Sequence, residues 1–292
     1  MRLVAVVVAL AVTVVACGGK SQPRAENGDT ETDEDDGPFV NQPGFVPTAF
    51  TAKVTGEGRP VIFIPGLACP GEVWDSTVQR LGDDIQAHVI TLAGFGGTEP
   101  TKPPLMAKTR KELVRYIRSN QLKDAIVVGH SLGGLIAYWL AATAPDVVAA
   151  VVVVDAGPRY FASNEYARLL RNTWAQAGDA ELPVALRNVF SGMTRNRKRI
   201  EPYIKQIASS DRQTIGDAIY ELVKLDITEK VKTITAPVLL VLADGGLQAR
   251  YRRQAAGVEH VEIVVVPKTG HFVMLDDPDR FTRTLLDFIA KY

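Results

Sequence analysis

Three short stretches of this 292-residue chain hold the residue types that could do covalent chemistry. The first is Gly129-His130-Ser131-Leu132-Gly133, in which a serine sits between two glycines in a G-x-S-x-G pattern. Ahead of it runs Ile126-Val127-Val128, an apolar β-branched strand, and behind it Leu132 to Thr143 reads as a helix. A serine at such a sharp strand-to-helix turn is held in a strained backbone conformation that lifts its hydroxyl above the sheet, and the flanking glycines let neighbouring backbone pass without a Cβ clash. The amide of Leu132, in the first helical turn, then points where negative charge would develop if Ser131 attacked a carbonyl. The pattern therefore predicts an acyl-transfer nucleophile at Ser131, with His130 filling the variable position as a packing residue.

The elements that must position this serine are legible as runs of two kinds. Short β-branched runs lie at Ala49–Val54, Val61–Ile64, His88–Leu92, Ala125–Val128, Ala149–Val154, Val238–Leu242 and Val261–Val266. Most are continuously apolar rather than alternating, as in strands buried on both faces. Helical stretches at 72–81, 105–120, 132–143 and 278–289 fall between them, so the sequence predicts an α/β fold with a mostly parallel sheet and right-handed crossovers. The interval from about 159 to 234 is long, helical in composition and free of clear strands, and reads as a helical cap inserted between two core strands.

With these elements in order, the chain from about residue 48 onward resembles the α/β-hydrolase superfamily. Val61-Ile62-Phe63-Ile64-Pro65-Gly66-Leu67 resembles the strand and turn that supplies the second oxyanion amide, with Pro65 where histidine is usual, and the resemblance makes Leu67 that donor. Leu92-Ala93-Gly94-Phe95-Gly96 resembles a loop of the family in which an aspartate normally stands where this chain has Thr91. His271, after the strand Val261–Val266 and before the terminal helix, matches the family's general base. Of the other histidines, His88 lies inside a strand and His260 among polar residues before one. The acid departs from the common pattern: the usual position, after the strand at 238–242, holds Gly246, with Asp244 two residues early. The alternative placement, used by pancreatic-type lipases, is matched by Asp155 in Val154-Asp155-Ala156-Gly157-Pro158, which is favoured, with Asp244 kept open.

Composition bounds the remaining function classes. Hydrophobic residues at 46% and charged residues at 23% are ordinary for a globular domain. Lys and Arg number 33, as do Asp and Glu, but residues 1–38 hold seven of the acids and three of the bases, so the rest is mildly basic. The basic run Arg195-Asn196-Arg197-Lys198-Arg199 has no interleaved aromatic residue, reads as a solvated helix face and does not suggest nucleic-acid binding. No metal-ligand cluster, phosphate loop or dinucleotide fingerprint stands out, and no cofactor is expected.

The first residues read as export machinery. Arg2 precedes an apolar run from Leu3 to Val15 that ends in Ala16-Cys17-Gly18, a signal-peptide pattern over 1–16 whose end resembles a bacterial lipobox with Cys17 as the lipidated residue. Residues 17–38, rich in acidic and small residues, would form a solvated tether, and 39–292 the hydrolase domain. A membrane-anchored lipoprotein is expected, in the outer membrane or periplasm of a Gram-negative cell or otherwise at the cell surface, since Gly18 gives no acidic signal for inner-membrane retention. With Cys17 lipidated, Cys69 has no intrachain partner and reads as a small buried hydrophobe or a residue at the site's mouth. The resemblance implies a serine hydrolase acting on a small ester-type substrate, as a carboxylesterase or lipase. C–C bond hydrolysis, lactonase, thioesterase or perhydrolase activity on the same residues, or a non-catalytic lipid-anchored binding protein, are the alternatives. The oligomeric state is not legible.

Overall fold

The computed structural model describes residues 44–160 and 162–292; the expected signal peptide, Cys17 and the acidic tether lie outside them. Seven strands form one sheet: β1 (Phe50–Thr55), β2 (Arg59–Ile64), β3 (Ile85–Leu92), β4 (Ile126–His130), β5 (Ala150–Val154), β6 (Val238–Ala243) and β7 (Val261–Val266). Their spatial order is β1-β3-β2-β4-β5-β6-β7, and all neighbours are parallel except the β1–β3 pair. The chain winds outward in both directions from β2, which leaves the carboxyl ends of β2, β4, β5 and β6 side by side, where open α/β sheets hold their sites. Every residue of β4, β5 and β6 is buried, so the continuous Val, Ile and Leu runs have apolar cover on both faces. Each such fully buried side chain contributes about 1.5–3 kcal/mol relative to exposure.

Helices flank the sheet: α1 (Asp75–Val78), α2 (Leu105–Ser119), α3 (Leu132–Thr143), α4 (Asn164–Ala175), α5 (Glu181–Gly192), α6 (Arg197–Ile200), α7 (Ile204–Ala208), α8 (Arg212–Lys224), α9 (Gln248–Ala255), α10 (Val273–Asp276) and α11 (Pro278–Ile289). The last begins where Asp277 accepts the Arg280 amide and Pro278 presets the first turn, and it buries the stripe Phe281, Leu285 and Phe288. The single helix expected over 72–81 is instead a 3₁₀ turn at Gly71–Trp74 followed by α1, which ends at Val78. Gly71 keeps the chain in this tight turn by donating its amide to Thr91 Oγ1 at 2.9 Å.

Helices α4 to α8 occupy the interval between β5 and β6. They are fastened to the core by polar ties at defined points. Glu221 on α8 accepts the Leu105 and Met106 amides at 2.6 and 2.8 Å, satisfying orphan donors at the start of α2. Ser210 Oγ accepts the Gly96 amide and donates to Ala68 O, while the Asp211 amide donates to Gly94 O at 2.7 Å. No helix among the described residues is long and apolar enough to cross a membrane.

Candidate active site

Ser131 stands between β4 and α3 with φ 53° and ψ −116°, a sparsely populated conformation that costs about 1–3 kcal/mol and has to be imposed by its surroundings. The imposition is visible on both sides. The Ser131 amide donates to Val154 O of the neighbouring strand at 3.0 Å, and the Leu135 amide donates to Ser131 O at 3.1 Å. Backbone is also crowded here: a Cβ on Gly129 would lie 2.1 Å from Gly133 O, and one on Gly133 would lie 2.4 Å from Ile64 O. Only glycine permits strand, turn and helix to meet this closely.

Leu132 is the first residue of α3, so its amide belongs to the turn that has no acceptor within the helix. The Gly66-Leu67 turn follows β2 and touches the serine: a Cβ on Gly66 would come within 3.3 Å of Ser131 Cβ. Leu67 and Ser131 line the same cavity. Of the two residues expected to offer oxyanion amides, Leu132 thus follows Ser131 directly and Leu67 lines the cavity that Ser131 lines.

His271 lies beyond β7, and its Nδ1 donates to Asp155 Oδ2 at 2.7 Å. Asp155 follows β5 directly and has left the ladder with φ 44°. Its own amide donates to Val241 O at 2.8 Å, and its Oδ1 accepts the Ala243 amide at 3.0 Å. Asp155 is 5% exposed, so the charge-assisted bonds from the Ala243 amide and His271 Nδ1 are what its carboxylate has in place of water. An Nδ1–H committed to a carboxylate leaves the Nε2 lone pair of a neutral imidazole as the proton acceptor. Asp244, the other candidate acid, is exposed, and its Oδ2 accepts the Lys268 amide at 3.2 Å. The structure therefore joins His271 to Asp155 and leaves Asp244 exposed, held by the Lys268 backbone amide.

Three neighbours of the His271–Asp155 pair were not evident as such in the sequence. His130 packs against His271 with ring centroids 4.6 Å apart and the rings tilted by 50°, and His130 Nε2 donates to His271 O at 3.0 Å. Burial, and secondly the proximity of His271, push the His130 imidazole well below its ordinary range, so it is neutral and its Nδ1 has no partner. Tyr160 and Tyr251 lie beside Asp155 and line the cavity; burial pushes both phenols up, and they stay protonated. Cys69 is buried in the same wall, and burial raises its thiol, so it offers no thiolate. The bases of the Arg195–Arg199 run are exposed, with Arg195 at the cavity's edge.

The cavity has a volume of about 330 Å³ and contains Ser131, His271 and Asp155. Its walls come largely from the helices between β5 and β6, through Leu170, Trp174, Leu186, Val189, Ile215, Ile219 and Leu222, all buried. Among the described residues no three His, Cys, Asp or Glu side chains converge so as to hold a metal ion.

Residues 61–284 match the model of the alpha/beta hydrolase family. Over 255 residues the chain is 24% identical to a pimeloyl-[acyl-carrier protein] methyl ester esterase of Vibrio cholerae, covering 82% of this chain and 97% of that protein. Its fold superposes on a thermophilic esterase from Thermogutta terrifontis with a TM-score of 0.75 at 22% identity, covering 83% of this chain and 93% of the other. An enol-lactonase from Burkholderia xenovorans superposes with a TM-score of 0.73 at 19% identity, covering 82% and 96%.

Proposed function

We propose that this chain, which belongs to the alpha/beta hydrolase family, is a serine hydrolase that cleaves carboxylic esters of small apolar substrates through an acyl-enzyme. The reading rests on one observation above the rest: the 2.7 Å hydrogen bond from His271 Nδ1 to the buried Asp155, in a cavity that Ser131 also lines. Ser131 Oγ attacks the ester carbonyl carbon as His271 Nε2 takes its proton. Asp155 holds the imidazole in the required tautomer and stabilises the imidazolium that forms. The carbonyl oxygen, now negative, meets the Leu67 and Leu132 amides, each of which is worth about 10²–10³ in rate. Collapse of the tetrahedral species expels the alcohol oxygen, which receives the proton from His271. Water repeats the sequence on the acyl-serine, and the acid leaves.

The apolar cavity, at the small end of ligand-site volumes, favours short to medium acyl chains over long ones. A series of p-nitrophenyl esters from acetate to palmitate tests this, with Ser131→Ala as control. Hydrolysis should peak below about ten acyl carbons and vanish in the variant; equal turnover by the variant refutes the mechanism. A protein without esterase activity whose Ser131 still reacts with a fluorophosphonate would turn the reading toward C–C bond cleavage.

The apolar run Leu3–Val15 and the residue that follows Ala16 support a second proposal, that the chain is an exported lipoprotein anchored at Cys17. Expressed with its first residues, it should partition with membranes, and Cys17→Ser should release it. A variant that stays equally bound after normal export overturns this reading.

A further inference from the structure

The backbone of the Gly270–His271 turn is held from three directions, and one of those holds runs through a carboxylate that the reaction itself does not use. The His271 amide donates to Met193 O at 2.7 Å, and its carbonyl accepts His130 Nε2. Met193 belongs to the loop after α5, in the helical segment, so the base leans on a wall of the cavity that comes from a distant part of the chain. Asp276, at the end of α10, ties the two together. Its Oδ2 accepts the Gly270 amide at 2.7 Å and the Arg195 amide at 3.0 Å. Its Oδ1 accepts the Asn196 amide at 2.9 Å and the Thr194 hydroxyl. Thr194 Oγ1 in turn accepts the Asn196 amide at 3.1 Å. The loops are in backbone contact, since a Cβ on Gly270 would lie 2.4 Å from Met193 O.

We infer that Asp276 is a positioning residue for His271: its carboxylate clamps the 193–196 loop of the helical segment onto the 270–271 turn, so that the cavity wall and the base keep one geometry. The inference rests on His271 acting as the general base. Four donors converge on two oxygens, three of them backbone amides, and a carboxylate is the side chain that accepts all four. An asparagine of the same shape fails in either orientation: its NH₂ faces the Gly270 and Arg195 amides on one side, or the Asn196 amide on the other. If the carboxylate served only to fill space, that substitution would be silent. If it positions the base, the 270–271 turn relaxes, and a misplacement of the order of 1 Å lowers turnover by about 10²-fold.

Asp276→Asn in the full chain is therefore the test, read by p-nitrophenyl acetate kinetics and by the low-field proton resonance of the His271–Asp155 hydrogen bond. The expected result is a kcat lowered by about ten- to a hundredfold, a KM changed by less than about threefold because so small a substrate makes little use of the wall, and a resonance broadened or moved upfield. Thr194→Val, which removes one donor to Asp276, covers the case of a variant that does not fold. It should move both readouts in the same direction by a smaller amount, and Thr194→Ser should restore them. A kcat within twofold of the parent, a loss carried by KM alone, or an unmoved resonance overturns the inference. If the parent cleaves no ester, the ester reading fails separately, and the resonance alone still decides whether Asp276 positions His271.

Discussion

Asp155→Asn is the perturbation that bears hardest on the geometry of the site. The parent carboxylate accepts two N–H groups, Ala243 N on Oδ1 and His271 Nδ1 on Oδ2. An asparagine has one acceptor for these two donors. The Ala243 amide cannot turn away, because it is built into the end of β6, whereas the imidazole can change tautomer. The amide oxygen therefore goes to Ala243 and the NH₂ to His271, whose Nδ1 must then carry the lone pair and whose Nε2 must carry the proton. A base protonated on the side of the nucleophile accepts nothing, and turnover falls by about 10⁴, which corresponds to about 5.4 kcal/mol of transition-state stabilisation. Asp244→Asn, by contrast, loses at most an exposed 3.2 Å contact with the Lys268 amide and should stay within about threefold of the parent. Single-turnover and steady-state hydrolysis of p-nitrophenyl butyrate measure both, with circular dichroism to show that each variant is folded. A folded Asp155→Asn within tenfold of the parent refutes the tautomer argument, and the reverse ranking moves the acid to Asp244.

Other consequences concern strain, close approach and protonation. Ser131→Gly should be more stable to urea than Ser131→Ala by about 1 kcal/mol, because glycine takes φ 53° without penalty; equal midpoints would mean that the elbow stores no strain. Gly129→Ala should cost about 4 kcal/mol or more, or yield no soluble protein, since the added Cβ would lie 2.1 Å from Gly133 O; a normal urea midpoint contradicts the packing. His88 is buried between Tyr116 Oη at 2.8 Å and Gln86 Oε1 at 2.9 Å, and burial lowers its imidazole to about 4. The unfolded chain takes up that proton near the ordinary value of about 6.5, so the stability present above 6.5 declines as pH falls from there toward 4, and the depressed His130 adds to the same slope. Urea unfolding at pH 7.5, 6 and 5 checks this, and a stability that is flat or rising as pH falls from 6.5 to 5 contradicts it.

All seven strands were legible in the sequence, and their ends moved by only a few residues: β4, β5 and β6, parallel and covered on both faces, appear as unbroken apolar runs, whereas the antiparallel, largely exposed β1 and the half-buried β7 were legible from their β-branched residues. The helix expected at 72–81 was cut short for a local reason, the tight turn held by Gly71 and Thr91. The G-x-S-x-G stretch pointed to Ser131 because everything that strains it lies within a few residues or in the next strand. The acid was ambiguous for the opposite reason. Asp155 and Asp244 both follow apolar strands, and their sequence neighbourhoods do not say which carboxylate meets a histidine more than twenty residues beyond either of them. That depends on the β5–β6 register and on how far each loop turns inward. Asp276 was invisible on the same grounds, since three of its four partners come from residues 194–196 and are mostly backbone amides that carry no sequence signal.

The central claim is that Ser131 is a nucleophile activated by His271, and intact-mass and peptide analysis after treatment with a fluorophosphonate tests it most directly. The account predicts one adduct per chain, located on Ser131, absent from Ser131→Ala and slowed by about 10³-fold or more in His271→Ala. No adduct, an adduct on another residue, or unchanged labelling in His271→Ala would contradict it.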